Sequence, residues 1–353
     1  MSNMFDFTES LLPALGPRNT NVFFSPYSID MAFTAVSEGA SGDTKEEMES
    51  VLPGEEDRYR TVRTVPSIST ANAVWLQQNL DFFPDFDRAL RKFDAEVSHA
   101  DFISDADGAR KVVNDWTYHR TRERIKDVLP PGSVTNLTRL VVANAIYFKD
   151  NWLKQFNQRN TMPRVFVTPE GPIQTMMMKD TGRRAHWVEE EDYAAIVLPY
   201  RDVRVDMVIV LPHVEEVRNR VEANLGGILR GISRDNVTSL EKIDVLMIPK
   251  FRLETGYNLK SPLSTLGMKT VFTDQSTLDR VTPQEPKLFV GAAFHKAFVD
   301  VDEKGTEAAA ATAASLMKCA SISRRVFRAD HPFLFAIRCD NDPIFIGRVV
   351  NPA

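Results

Sequence analysis

Residues 303–321 read EKGTEAAAATAASLMKCAS, and this stretch decides how the rest of the chain is interpreted. It begins with an acidic residue and the flexible pair Lys304-Gly305, and no side chain between Ala308 and Ala314 is larger than threonine. Because alanine is the best helix former, a run of this kind is by itself typical of an exposed helix or a passive linker. The motifs before and after the run indicate whether it is an exposed helix, a passive linker or a functional loop.

Short motifs surround this stretch along nearly the whole chain. They are, in sequence order, residues 21–29 (NVFFSPYSI), Gly39-Ala40, Gly42, Thr44, Glu47-Met48, residues 144–152 (NAIYFKDNW), Leu198-Pro199-Tyr200, Leu211-Pro212, Pro249-Lys250-Phe251, Leu266-Gly267-Met268, Phe272, His295-Lys296, residues 331–335 (HPFLF) and residues 347–352. This ordered set resembles the serpin family, whose members inhibit proteases by inserting a cleaved reactive-centre loop into their own β-sheet. The alanine run alone would be a weak signal, but so many motifs in one order do not arise by chance.

The resemblance implies an α+β fold in which about eight to nine helices surround three β-sheets. One is a large central, mainly antiparallel sheet, and an exposed reactive-centre loop covers about residues 303–325. The residue patterns agree with this, since residues 109–128 predict a helix with a polar face and residues 140–148 (LVVANAIYF) predict a strand buried on both faces. No Pro/Gly/Ser-rich linker divides the 353 residues, so we expect a single domain, 1–353.

The resemblance assigns the start of the loop to a hinge. Its residues are Glu303, Gly305, Thr306, Glu307, Ala308, Ala309, Ala310 and Ala311. In the family this segment becomes a central strand after cleavage, and strand side chains alternate between the two faces of a sheet. The face that packs against the core would then carry Thr306, Ala308, Ala310, Thr312, Ala314 and Leu316. Most of these side chains are small, as insertion requires, since excess bulk in a packed core is destabilising.

The bond that a protease cuts is assigned to Lys318-Cys319, because residues 317–320 (MKCA) resemble the loops of intracellular ovalbumin-type serpins. Lys318 would enter the acidic S1 pocket of a trypsin-like serine protease, with which the protein would form a covalent complex. The family's usual loop length instead places the cut at Cys319-Ala320, whereas the shorter loop of poxviral serpins returns it to Lys318-Cys319. Two alternatives stay open: inhibition of papain-like cysteine proteases, and a non-inhibitory role, although non-inhibitory relatives usually carry bulky or charged hinge residues.

Two further sets of residues are assigned by resemblance to the opening of the sheet. The shutter, a hydrogen-bonded cluster beneath the point where the strands part, comprises Ser25, Ser28, Asn144 and His295. The breach, at the top of the sheet, comprises Trp152, Lys250 and Glu303. The last two residues match an ion pair of the family. A buried polar cluster such as the shutter has to be fully hydrogen-bonded, or it destabilises the fold.

Composition and motifs argue against several other classes of protein. The chain contains no G-x-S-x-G, H-E-x-x-H, P-loop or C-x-x-C motif, and its six histidines have no ligand spacing, so we expect neither an enzyme nor a metal or cofactor site. The net charge of −5 argues against nucleic-acid binding, and no apolar stretch approaches the roughly 20 residues of a membrane span. Heparin binding is not expected, because only 21 residues separate Met48 from Thr70, and the helix that carries the glycosaminoglycan site in some relatives would be much reduced.

The cellular setting is predicted from the N-terminus and the cysteines. The first ten residues, MSNMFDFTES, lack the basic start and the apolar run of a signal peptide. Two cysteines are too few for a disulfide framework. Both observations predict a cytoplasmic monomer, with leaderless or host-assisted secretion left open and polymerisation expected only if the fold is destabilised.

Overall fold

The computed structural model describes residues 3–233, 240–284, 287–306 and 325–353. They belong to two compact units. Unit 1 comprises Met1–Leu15, Phe24–Tyr147 and Glu254–Phe298, and unit 2 comprises Gly16–Phe23, Phe148–Leu253 and Val299–Ala353. Each unit is assembled from three separate segments of the chain, and the single domain expected from the sequence stays a prediction.

The described residues contain nine α-helices and strands that form three sheets. The helices are α1 (Met4–Leu15), α2 (Pro26–Ser37), α3 (Gly42–Val51), α4 (Glu56–Arg63), α5 (Pro84–Lys92), α6 (Ala106–Arg120), α7 (Glu215–Ala223), α8 (Leu225–Gly231) and α9 (Lys260–Leu266). The strands are β1 (Val22–Phe24), β2 (Ile68–Gln77), β3 (Ala95–Ala100), β4 (Leu140–Phe148), β5 (Asp150–Asn151), β6 (Met162–Thr168), β7 (Gly171–Asp180), β8 (Arg183–Glu189), β9 (Tyr193–Pro199), β10 (Val205–Pro212), β11 (Glu241–Ile243), β12 (Val245–Pro249), β13 (Phe251–Asn258), β14 (Ala292–Val301), β15 (Gly305–Thr306), β16 (Val326–Arg328), β17 (Phe333–Cys339) and β18 (Asp342–Val349). The predicted α+β class is confirmed, and no helix in the described part of the chain is long and apolar enough to cross a bilayer.

Unit 1 is built around β3, β2, β4 and β14, which neighbour one another in this order. β4 and β14 run parallel, and their ladder extends from Val141 opposite Ala292 to Tyr147 opposite Phe298. Every residue of β4 is buried, as its continuous apolar sequence predicts for a strand covered on both faces. One side of the sheet packs against α6 in a core that contains Val113 of the helix and Val141 of the strand.

Unit 2 contains an antiparallel sheet in which β18, β17, β10, β9, β8 and β11 follow one another. Its terminal hairpin, β17 and β18, turns at Asp340 and Asn341, whose φ angles of 49° and 74° lie in the left-handed region that these residue types tolerate. A four-stranded sheet has the order β16, β12, β7, β6. The end of β14 lies in unit 2, where it pairs with β15, and β15 pairs with β5.

The helix expected over residues 109–128 is shorter in the structure. Its counterpart α6 ends at Arg120, eight residues before the expected end. Arg122 and Glu123 follow with φ angles of 52° and 64°, a left-handed conformation that stops an α-helix. The predicted C-terminal end of the helix was wrong, because the spacing of apolar residues does not show where the backbone adopts a left-handed conformation.

A buried ion pair joins the neighbouring strands β10 and β17 in unit 2. Arg338 donates from Nε to one carboxylate oxygen of Asp206 at 2.9 Å and from Nη2 to the other at 3.1 Å. Nη1 of Arg338 donates to the carbonyls of Leu229 and Ile232 at the end of α8. The pair therefore fixes α8 to the sheet and compensates both buried charges.

We expect Asp206→Ala to lower the free energy of unfolding by about 3–5 kcal/mol, because the buried guanidinium would lose the carboxylate that compensates it. The measurement is urea-induced unfolding followed by circular dichroism. Asp57→Ala is the control, since it removes a partner from the exposed pair of Arg60 and Asp57 and should leave the midpoint unchanged. Equal effects of the two substitutions would contradict the assignment of stability to the buried pair.

Candidate functional site

The base of the predicted reactive-centre loop forms a short three-stranded arrangement in unit 2. Val301, the last residue of β14, lies opposite Thr306 of β15, and Thr306 lies opposite Asp150 of β5. Gly305 lies opposite Asn151 in the same way. The first two residues after the turn therefore already occupy a strand position between two other strands, and both are buried.

The turn before β15 is closed by Asp302. Its carboxylate accepts hydrogen bonds from the amides of Lys304 and Gly305 at 2.8 and 3.3 Å, and its own amide donates to the carbonyl of Gly305 at 2.9 Å. A Cβ on residue 305 would lie 2.2 Å from the carbonyl oxygen of Asp150 and 2.5 Å from Cα of Asn151. The two backbones approach too closely for any side chain, so this position requires glycine.

Two aromatic rings contact the first strand of the loop. Trp152 and Tyr200 stack with ring centroids 4.5 Å apart and an interplanar angle of 15°. The hydroxyl of Tyr200 lies 2.9 Å from Oγ1 of Thr306, and Nε1 of Trp152 donates to the carbonyl of Asp302 at 2.9 Å. Burial raises the pKa of Tyr200, so its hydroxyl stays protonated. The rings thus hold both the turn and the strand that follows it.

Glu303 lies in the turn and forms an ion pair with Lys250, whose Nζ is 3.0 Å from the carboxylate. Burial raises the pKa of Glu303, but the hydrogen bond from Lys250 and other favourable contacts outweigh this effect, so the pKa lies below its usual value. The carbonyl of Glu303 accepts from the amide of Phe156 at 2.7 Å. Backbone and side chain together fix the turn in place.

A separate, fully buried polar cluster lies in unit 1. It contains Ser25, Ser28, Asn72, Asn144 and His295. The amide group of Asn144 donates to Oγ of Ser28 at 2.6 Å and to the side-chain oxygen of Asn72, while Oγ of Ser25 accepts from the amide of Ser28 at 3.0 Å. His295 of β14 lies opposite Asn144 of β4. The cluster is therefore part of the direct pairing between these two strands.

His295 has to be neutral in this arrangement. Its Nε2 lies 3.1 Å from the amide nitrogen of Ser25, which can only donate, so Nε2 accepts. Nδ1 then carries the proton and donates to Oδ1 of Asn144. Full burial lowers the pKa of His295 from 6.5 to about 3. Protonation of Nε2 would place its N–H against the amide N–H of Ser25, so the cluster is compatible only with a neutral histidine.

The structure brings the predicted site residues together in two sets. The set in unit 2 contains Trp152, Lys250, Glu303, Gly305 and Thr306. The set in unit 1 contains Ser25, Ser28, Asn144 and His295. The remaining predicted residues, Glu307, Ala308, Ala309, Ala310, Ala311, Lys318 and Cys319, lie outside the described residues. The roles assigned to all of them stay predictions.

Three residues of these sites were not singled out from the sequence as functional: Asn72, Tyr200 and Asp302. Asp302 carried a usable signal, since aspartate commonly accepts from amides two and three residues further along a turn. Asn72 carried a second signal, because asparagine is depleted in strands and Asn72 nevertheless lies inside β2. Tyr200 belongs to a quoted motif, but nothing in that motif indicates that its hydroxyl contacts the loop.

Comparisons with known proteins all give one family for this chain. A sequence model of the family described as serpin (serine protease inhibitor) matches residues 2–352. Serpin B6 of Macaca fascicularis is 37% identical, with 98% of this chain and 97% of the relative covered. The leukocyte elastase inhibitor of Xenopus tropicalis is 34% identical, with 94% and 93% covered.

A solved structure extends the agreement to three dimensions. The crystal structure of uncleaved ovalbumin matches with a TM-score of 0.87 at 26% sequence identity, covering 99% of this chain and 98% of that chain. Motifs, relatives and fold agree over nearly the whole length, and the chain belongs to the serpin family.

Proposed function

We propose that this serpin inhibits trypsin-like serine proteases as a suicide substrate that is cleaved at Lys318-Cys319. The family is one of serine protease inhibitors, which supports inhibition in general. The trypsin-like target depends on the loop sequence, since Lys318 fits an acidic S1 pocket. Both residues of the bond lie outside the described residues, so the support comes from the loop base and the sequence.

The pairing of Thr306 is the observation that supports loop insertion most directly. The residue is 0% exposed, and β15 pairs antiparallel with β14 on one side and with β5 on the other. A loop that entered the sheet after cleavage would lengthen this strand and would not have to start a new one. Because this strand is already paired, no additional loop has to be closed before further pairing begins. The entropic cost of closing such a loop is therefore avoided.

The observed register determines which loop residue would lie opposite each residue of β14. The count starts from Thr306 opposite Val301. The resulting pairs are Ala308 with Val299, Ala310 with Ala297, and Thr312 with His295. All three residues of β14 are 0% exposed, so the side chains that meet them on this face have to be small. The alternating small residues of the loop satisfy this condition.

Insertion would replace one parallel ladder by two antiparallel ladders. β4 and β14 now pair directly and in parallel over seven residue pairs, whereas β15 is antiparallel to β14. A strand between them would restore hydrogen bonds on both sides, and antiparallel pairing is slightly more stable per residue. The uninserted form would then persist for kinetic reasons and not because it is the most stable form.

Thr312 explains why the run of alanines is interrupted. In the extended register it would lie beside His295, whose present partner is Asn144 of the opposite strand. Separation of the two strands breaks this bond and leaves both side chains buried. A threonine hydroxyl is a donor and an acceptor, so it can satisfy either group. An alanine at the same position could satisfy neither.

Insertion would disable the bound protease by moving it. From Glu303 to Lys318 the inserted strand would be about 50 Å long at the usual rise per residue. The protease, held as an ester on the carbonyl carbon of Lys318, would be carried over this distance. Its triad and oxyanion hole would lose the alignment on which deacylation depends. The inhibitor needs no catalytic residue of its own.

A second candidate target is an elastase-like protease, and one comparison favours it. The Xenopus relative is named a leukocyte elastase inhibitor. Elastase has a small S1 pocket, which suits Cys319 if the cut lies at Cys319-Ala320. The two candidates therefore differ in the bond that is cut, and this difference can be measured.

Trypsin mixed with an equal molar amount of the protein should give a covalent band at the summed mass and release a peptide that begins at Cys319. Lys318→Ala should abolish the complex, because alanine cannot reach the acidic residue of the S1 pocket. Cys319→Ser is the matched control and should retain the complex. A peptide that begins at Ala320, with a complex formed by elastase and not by trypsin, would establish the second candidate instead.

Ala310→Arg should convert the inhibitor into a substrate, because residue 310 would lie opposite the fully buried Ala297 after insertion. Burying an unpaired guanidinium destabilises the inserted strand by more than about 1.4 kcal/mol, so the yield of covalent complex should fall at least about tenfold while cleavage continues. Glu307→Arg is the control, because this position would lie on the opposite face of an inserted strand. Circular dichroism establishes that both variants fold, and an unchanged ratio of complex to cleaved Ala310→Arg on the gel would exclude insertion of this strand.

The stability of the closed form should fall on acidification because of His295. Its pKa is about 3 in the fold against 6.5 normally, so the unfolded chain takes up the proton first as the pH falls. The stability is therefore fully present above pH 6.5 and is lost progressively between pH 6.5 and pH 3, by about 1.4 kcal/mol per pH unit. The measurement is the urea midpoint as a function of pH for the wild type and for His295→Gln, in which this slope should be absent.

His331→Gln is a control of opposite sign. Burial lowers the pKa of His331, but the hydrogen bonds to Asp330 and to the carbonyl of Pro212 outweigh it and raise the pKa above its usual value. The stability from His331 is thus present at low pH and lost as the pH rises, so its removal should steepen the acid loss. Identical slopes for the wild type and His295→Gln would contradict the neutral, buried histidine.

A further inference from the structure

A pocket of about 350 Å³ opens on β8, β9 and β10 in unit 2. Most of its lining is apolar and consists of Leu153, Val197, Leu198, Pro199, Val203 and Leu240. Three of these side chains are unusually exposed for their type: Leu153 by 58%, Val203 by 66% and Leu240 by 52%. Single exposed apolar residues are ordinary, but three around one pocket form a patch of the kind that binds a ligand.

The charged groups that line the pocket leave an excess of positive charge. Lys154 and Arg183 both bind the same carboxylate, that of Asp180, at 3.1 and 2.8 Å. Asp206, the one acidic residue of the lining, is compensated by the buried bond to Arg338. On one side of the pocket, Lys154 and Arg183 therefore share one carboxylate and leave an excess positive charge. On the other side, the charges of Asp206 and Arg338 cancel.

Arg184 and His186 add two groups that lack partners. They occupy alternate positions of β8, so their side chains lie on the same face of the sheet. The guanidinium of Arg184 is exposed and pairs with no described residue. Nδ1 of His186 is buried and has no hydrogen-bond partner among the described residues. Arg184 therefore presents an uncompensated charge at the pocket, whereas the buried Nδ1 of His186 is out of reach of a ligand.

We propose that this pocket binds a small organic anion with an apolar body and a carboxylate head. The body lies against Val197, Pro199 and Leu240, and the carboxylate binds the guanidinium of Arg184. The guanidinium fork matches a carboxylate in two parallel hydrogen bonds, which an alcohol or an amine cannot form. The volume and the mostly apolar lining with a few polar groups are those of small-ligand sites. This pocket takes no part in the proposed inhibition.

The probe is decanoate, titrated into the whole protein by isothermal titration calorimetry. We expect saturable binding with one site and an affinity at least about tenfold weaker in Arg184→Gln, since the neutral amide loses the paired charged hydrogen bonds to the carboxylate. Arg159→Gln is the matched control, because Arg159 is exposed and does not line the pocket, and it should bind as the wild type does. Leu240→Asp, which places a negative charge at the exposed rim, should weaken binding as well.

The uncharged analogue 1-decanol separates anion recognition from simple apolar burial. It should bind at least about tenfold more weakly than decanoate for the same reason. Equal affinities for the two compounds, an unchanged affinity of Arg184→Gln, or no binding of decanoate to the wild type would each overturn the proposal. Arg184→Gln should still form the covalent complex with trypsin, so the fate of this site and that of the inhibitory function are measured separately.

Discussion

The parallel ladder between β4 and β14 is the interaction on which the rest of the structure depends. It closes the sheet of unit 1 and places His295 opposite Asn144. It also determines the buried surface that an added strand would meet. The ladder is held by hydrogen bonds and by the complete burial of β4, so it does not open without a cause. The proposed mechanism requires a ladder of this kind, which persists until an inserted strand would replace it.

The polar groups near this ladder are almost all compensated. His295 is held neutral by burial, and Glu303 is paired with Lys250. Two exceptions are Nδ2 of Asn72 and Nε1 of Trp75, buried donors on β2 that have no hydrogen-bond partner among the described residues. A buried donor of this kind raises the free energy of the closed form by about 1–3 kcal/mol. In the proposed mechanism, such a donor would contribute to the metastability of the closed form.

The sequence was sufficient to predict the family, because the motifs that carry the family resemblance are local. Ser25 and Ser28 belong to one motif of nine residues, and Asn144 and Trp152 belong to another. The sequence was not sufficient for residues whose role depends on a partner far away along the chain. Asn72 binds a residue 72 positions away, and Asp206 and Arg338 are separated by 132 positions.

Strand register and left-handed backbone conformations could not be predicted from the residue patterns either. The pairing of Thr306 with Asp150 depends on how two distant segments align, and no periodicity in either segment records that alignment. The end of α6 depends on left-handed residues such as Arg122, a residue type that carries no such preference. Local composition therefore predicted which elements exist, whereas tertiary pairing determined where they end and meet.

The stacking of Trp152 on Tyr200 gives the protein an intrinsic optical reporter. The indole is one of four in the chain, and the ring on which it stacks contacts Thr306 through its hydroxyl. Movement of the first loop strand changes the stacking and the polarity around this buried chromophore. Fluorescence can therefore follow the state of the loop in real time, in the unlabelled protein, from the first encounter with a protease to the end of the reaction.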